Sequence, residues 1–79
     1  MEVKLTERIV ASNDILHGKP RIAGTRVQVF YVLGLMAAGK SVDDIISDDY
    51  YPEITREDVL ACVDYAMRVI ENETFVAVP

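Results

Sequence analysis

One histidine, one cysteine and no tryptophan stand in this chain of 79 residues. With His17 alone, neither a Ser-His-Asp triad nor a multi-histidine metal site can be assembled within one chain, and beside Gly18 it reads as a turn residue. Cys62 has no second cysteine to pair with and no other ligand at metal spacing, which agrees with a reducing compartment. It reads as a small core residue, because a reactive thiolate needs a basic, partly exposed setting. No apolar run approaches the roughly 18 residues of a membrane span, and Met1-Glu2-Val3-Lys4 lacks the basic-then-apolar start of a signal peptide. A cytoplasmic protein without a membrane role is expected. Repeats and low-complexity segments are absent. The stretch from Gly18 to Thr25 has the look of a phosphate loop, but its glycines are six apart and no lysine follows Gly24. The acidic cluster Asp43, Asp44, Asp48, Asp49 reads as solvated like charge rather than a magnesium site. These absences predict a protein that is not an enzyme and carries no metal or cofactor.

What is present is apolar and unevenly charged. Hydrophobic residues make up 51% of the chain and the mean hydropathy is +0.16, yet a domain of this size buries only about 60% of its unfolded surface. A homodimer or higher homo-oligomer is the expected way to cover the remainder. The net charge is -5, divided between +3 in residues 1–40 and -8 in residues 41–79. Either the acidic helix faces are merely solvated, or the halves serve two surfaces, one for nucleic acid and one for a basic protein.

Residues 7–11 and 21–23 are β-prone and separated by Ser12, Asn13, Asp14, Gly18 and Pro20, which predicts a two-stranded hairpin. From Val27 to Ala38 the chain is apolar on every helical face and Gly39 closes it, so this helix is expected at the domain centre and at a subunit contact. Ser41 with Asp44, and Thr55 with Asp58, read as capping boxes opening a short helix to about Asp48 and a longer one to about Asn72. Tyr50-Tyr51-Pro52 breaks the chain between them. The last helix has an inner stripe of Val59, Val63, Ala66 and Ile70, flanked by Cys62 and Val69, and an outer face of Glu57, Asp64, Arg68 and Glu71. Residues 74–79 form an apolar tail. The expected layout is one domain: a β element over 1–26, a three-helix core over 27–73 and the tail.

Four motifs occur in order: Gly18-Lys19-Pro20-Arg21-Ile22-Ala23-Gly24-Thr25-Arg26, Gly39 with Ser41, Tyr51-Pro52, and Thr55 with Glu57-Asp58-Val59. On these, with Val29, Ile54 and Tyr65-Ala66, the segment from Ile9 to about Ala66 resembles the prokaryotic family of domain of unknown function number 433, often called antitoxin-like. The resemblance implies a mainly α, homeodomain-like three-helix (helix-turn-helix) core with a short N-terminal β-hairpin. It also implies frequent dimerisation and a PIN-like toxin protein as partner. By their own chemistry, Gly24 turns the chain from strand into helix, Thr25 can cap that helix, and Arg26 can tie the turn or face a phosphate.

The expected function is that of an antitoxin in a type II toxin-antitoxin pair, neutralising a PIN-like ribonuclease and binding its own promoter DNA. The alternative is a stand-alone dimeric helix-turn-helix regulator. Lys19, Arg21, Arg26 and Arg56 are the candidate nucleic-acid contacts, with Lys19 and Arg21 on an exposed basic strip. Glu57 and Asp58 in the first turn of the last helix face phosphates unfavourably, which favours the hairpin over that helix. Asp44, Asp48, Glu57, Asp64, Phe75 and Val76 are the candidate partner contacts, acidic against a basic RNA-binding cleft.

Overall fold

The computed structural model describes residues 1–72. Three short strands, β1 (Glu2–Lys4), β2 (Ile9–Ser12) and β3 (Arg21–Ile22), form an antiparallel sheet in the order β1-β2-β3. Three helices follow, α1 (Val29–Ala37), α2 (Val42–Ile45) and α3 (Arg56–Glu71). The expected homeodomain-like three-helix core with a hairpin is therefore corrected: this is an α+β domain in which the sheet is one wall of the core. Ile9 and Ile22, opposite each other in the register, are buried in one cluster with Val27, Val29, Val32, Ile45, Ile54, Val59 and Cys62. α2 is a single turn, and residues 46–55 separate it from α3, far beyond the three- or four-residue turn of a helix-turn-helix. β1 was not expected because Glu2-Val3-Lys4 alternates over only three residues, too short a run to signal a strand, and all three are exposed.

Side chains alternate across a strand, so the register that sends Ile9 and Ile22 to the helices sends Val10 and Arg21 to the other face. Ser12 lies two residues from Val10, and Glu2 lies opposite Ser12. Glu2, Ser12 and Arg21 are thereby neighbours on that face. Between β2 and β3 the chain makes a left-handed turn in which Leu16, His17 and Gly18 all have positive φ, at 54°, 56° and 79°. After β3, Gly24 at φ 77° turns the backbone towards α1. Thr25 does not cap that helix, whose N-cap is Gln28; its hydroxyl donates to the Ile22 carbonyl at 2.8 Å and accepts from Val27 N–H at 3.0 Å, locking the turn.

The end of α1 and the starts of α2 and α3 follow the sequence, whereas α2 stops at Ile45, short of the expected Asp48. α1 stops in a Schellman arrangement: Gly39, at φ 91°, donates to the Met36 carbonyl, and Lys40 donates to that of Leu35. Reciprocal capping boxes open α2, through Ser41 and Asp44, and α3, through Thr55 and Asp58. Asp58 also receives Arg8 Nη1 at 3.1 Å, tying the loop before β2 to the start of α3. Among the described residues no helix is long and apolar enough to cross a membrane.

Thr55→Ala removes one half of the α3 capping box and should cost about 1 kcal/mol in urea unfolding. Gly39→Ala, forced into a left-handed backbone, should cost a similar amount, about 1 kcal/mol. Loss of neither would show that α1 and α3 are held by packing alone.

Candidate functional site

α1 has too much apolar surface for the core it faces. Val29 and Val32 are buried, but one residue on, Phe30 is 73% exposed and Tyr31 53%. Their rings meet edge to face at 5.5 Å, which shields little of either. α1 was expected at the domain centre and at a subunit contact; within one chain its Phe30 and Tyr31 side is left uncovered. α3 has the same problem for a different reason. At 16 residues it is about 24 Å long, against about 13 Å for the nine residues of α1. Its last turns overhang the core.

Val59 and Cys62 are fully buried, whereas Ile70, read from the sequence as the end of the inner stripe, is 66% exposed, and Val69 and Met67 are exposed beside it. Between the two helices lies an open groove of about 320 Å³, walled by Val29, Phe30 and Leu33 on one side and Tyr65, Ala66, Val69 and Ile70 on the other. Pro20 and Lys19 close one end. Contiguous exposed apolar surface of this kind marks an interaction site more often than chance.

The four candidate nucleic-acid cations do not form a strip. Arg21, expected to be exposed, is 3% exposed. Its guanidinium donates to the Thr25 carbonyl at 3.2 Å, to Glu2 at 3.0 Å and to Ser12 Oγ at 3.2 Å, and its Nε is buried without a partner. The sheet register decides this, because it sets Arg21 diagonally from Glu2. Arg56 is paired with Asp43. Arg26 is exposed, in a depression that also holds Glu2 and Glu53, so an incoming phosphate meets two carboxylates there. Lys19 is exposed at the end of the apolar groove.

The acidic candidates divide between two elements. Asp44 accepts from the Ser41 backbone N–H at 3.1 Å, and that bond, then the Ser41 hydroxyl, holds its carboxyl below the ordinary 3.8. Asp48 is exposed in the turn that follows α2. Glu57 and Asp64 share a shallow depression with Glu7, Arg8 and Arg68, and Asp64 pairs with Arg68 at 2.9 Å. Phe75 and Val76 lie outside the described residues.

Sequence reasoning missed Phe30 as a surface residue and took Ile70 and Val69 for core. The signal was available in a nine-residue helix with no polar face beside a much longer partner helix. Cys62 is buried, and burial, with a smaller contribution from Asp58, pushes its thiol up to about 12. Among the described residues no three His, Cys, Asp or Glu side chains converge on a metal-sized site.

A family model described as Protein of unknown function (DUF433) matches residues 9–66. No curated protein and no solved structure matches the chain.

Glu2→Gln should destabilise the fold by about 1–3 kcal/mol, because it leaves the Arg21 charge buried without its carboxylate; the range stays below that of a fully buried pair because Glu2 is half exposed. Equal urea midpoints would mean that Ser12 and Thr25 suffice. For Cys62, the folded value near 12 lies above the ordinary 9.0. The unfolded thiol therefore ionises first, so this contribution is constant below about pH 9 and is lost as pH rises towards 12. Urea titrations at about pH 8 and about pH 10 should show this decline, and Cys62→Ala should flatten the slope.

Proposed function

This chain belongs to the DUF433 family, and from that premise we propose that it acts by binding another protein, as the antitoxin of a type II pair that holds a PIN-like ribonuclease inactive. The observation that supports binding is the apolar groove between α1 and α3, with Phe30 at 73% and Ile70 at 66% exposure on its two walls. An amphipathic helix laid into such a groove is a common mode of peptide and protein recognition, with anchors every three or four residues. The acidic second half of the chain, at -8, suits a partner whose own surface is basic because it binds RNA. The choice of a PIN-like toxin rests on the family resemblance, not on the groove. Promoter binding has less behind it, since Arg21 and Arg56 are occupied by Glu2 and Asp43. The helix-turn-helix regulator is not carried forward, because its fold is not this one.

If the adjacent gene encodes a PIN-like nuclease, coexpression with it should yield a complex that stays together on gel filtration and cleaves RNA slowly. Phe30→Asp and Ile70→Asp, tested singly, should each weaken that complex by about tenfold to a hundredfold, as expected of a buried apolar anchor. Both side chains are mostly exposed in the free chain, so its urea midpoint should hold. Two chains that elute separately at micromolar concentration would sink the reading.

A further inference from the structure

The sheet has one open edge among the described residues, the outer side of β1. The outer side of β3 is closed by the chain itself, through the Arg21–Gln28 bridge and a 2.9 Å bond from Ile22 N–H to the Val27 carbonyl. We propose that the free edge of β1 pairs antiparallel with β1 of a second copy of this chain, about a two-fold axis at Val3. The contact lies on the sheet rather than on α1, where the apolar helix led us to expect it. It does not rest on the groove, none of whose lining residues belongs to β1.

Three observations carry it. First, the edge holds its backbone groups in the right places. Leu5 N–H donates to the Ile9 carbonyl at 2.8 Å, and hydrogen-bonded pairs alternate along an antiparallel ladder. Val3 opposite Ala11 is then the next such pair, so Glu2 and Lys4 direct their N–H and carbonyl groups away from β2. Alignment about Val3 sets Glu2 of each copy against Lys4 of the other, with N–H to carbonyl bonds in both directions at each position.

Second, the side chains are self-complementary. Residues 1–5 read Met-Glu-Val-Lys-Leu. The same alignment therefore sets acid opposite base, Met1 opposite Leu5 and Val3 opposite its own copy, and such cross-strand pairs favour association. Both charges have room for a further partner. Glu2 is half exposed beside Arg21, and Lys4 has only a 3.8 Å contact with exposed Glu7. Third, Met1, Val3 and Leu5 are exposed, although their parity puts them on the face of the sheet that Ile9 and Ala11 share. A second copy lays a matching apolar row beside them. The pairing consumes the open edge of each copy, so assembly closes at a dimer.

Sedimentation equilibrium of the full-length chain in the micromolar range should show a reversible equilibrium between 8.8 kDa and twice that mass. Lys4→Pro removes an outward N–H and the charge while sparing the bonds to β2, and should weaken the dimer by about tenfold or more, with circular dichroism unchanged. Ile70→Asp, in the groove, should leave it as it is. A chain that stays monomeric would overturn the proposal, as would a dimer indifferent to Lys4→Pro or one lost with Ile70→Asp instead. Should Lys4→Pro disturb the fold, Val3→Cys decides. The two Val3 residues meet at a non-hydrogen-bonded pair, with Cα atoms about 4.5 Å apart and within disulfide reach, and the native Cys62 is buried. Oxidised glutathione should convert this variant to a covalent dimer much faster than Leu60→Cys, which exposes a thiol on α3. Equal rates would overturn the pairing.

Discussion

The register of β2 against β3 sets Ile9 opposite Ile22 and Val10 opposite Arg21, and most of the domain depends on that one alignment. Its helix-facing side gives the core two isoleucines, against which α1 and α3 pack. Its other side takes a guanidinium out of water, which is tolerable because β1 brings Glu2, the central strand brings Ser12 and the turn after β3 brings the Thr25 carbonyl to it. A slip by one residue would exchange the two faces, placing the charge among the aliphatic side chains. β1 is thus more than an edge: it carries the carboxylate that the register requires.

The core assembled in this way is small. Its buried side chains come from every element except β1, and partly buried neighbours such as Leu35, Tyr51 and Tyr65 complete it. α1 and α3 present more apolar surface than this cluster can absorb, one because it has no polar face, the other because it is nearly twice as long as the helix it packs on. The groove follows from that mismatch. A chain selected only for monomer stability gains nothing from Phe30 or Ile70 in water, so their placement is best understood through what covers them.

Charge has a more local use than its bulk division suggests. Asp44 and Asp58 are occupied with helix starts, Asp58 also with Arg8, Asp43 with Arg56, and Asp64 with Arg68. The remaining acidic groups still give the second half its sign. Two of the four basic groups expected to meet a phosphate backbone, Arg21 and Arg56, are held within the fold by Glu2 and Asp43.

The starts of α2 and α3 and the end of α1 were legible in the residues themselves. Ser41 with Asp44, Thr55 with Asp58 and Gly39 act on the backbone within a few positions, so their effect is fixed before any tertiary contact forms. The pairing of β2 with β3 was legible too, from β-prone runs flanking turn formers. Whether Arg21 is exposed or buried, whether Ile70 is core or surface, and whether a three-residue stretch at Glu2 becomes a strand were not. Each depends on a neighbour distant in sequence: Glu2 lies across the sheet from β3, and α1 ends before it can cover the last turns of α3. The sequence by itself determined the helices, their caps and the excess of apolar surface. Only the tertiary structure decided where that excess emerged, because burial is a property of what packs alongside.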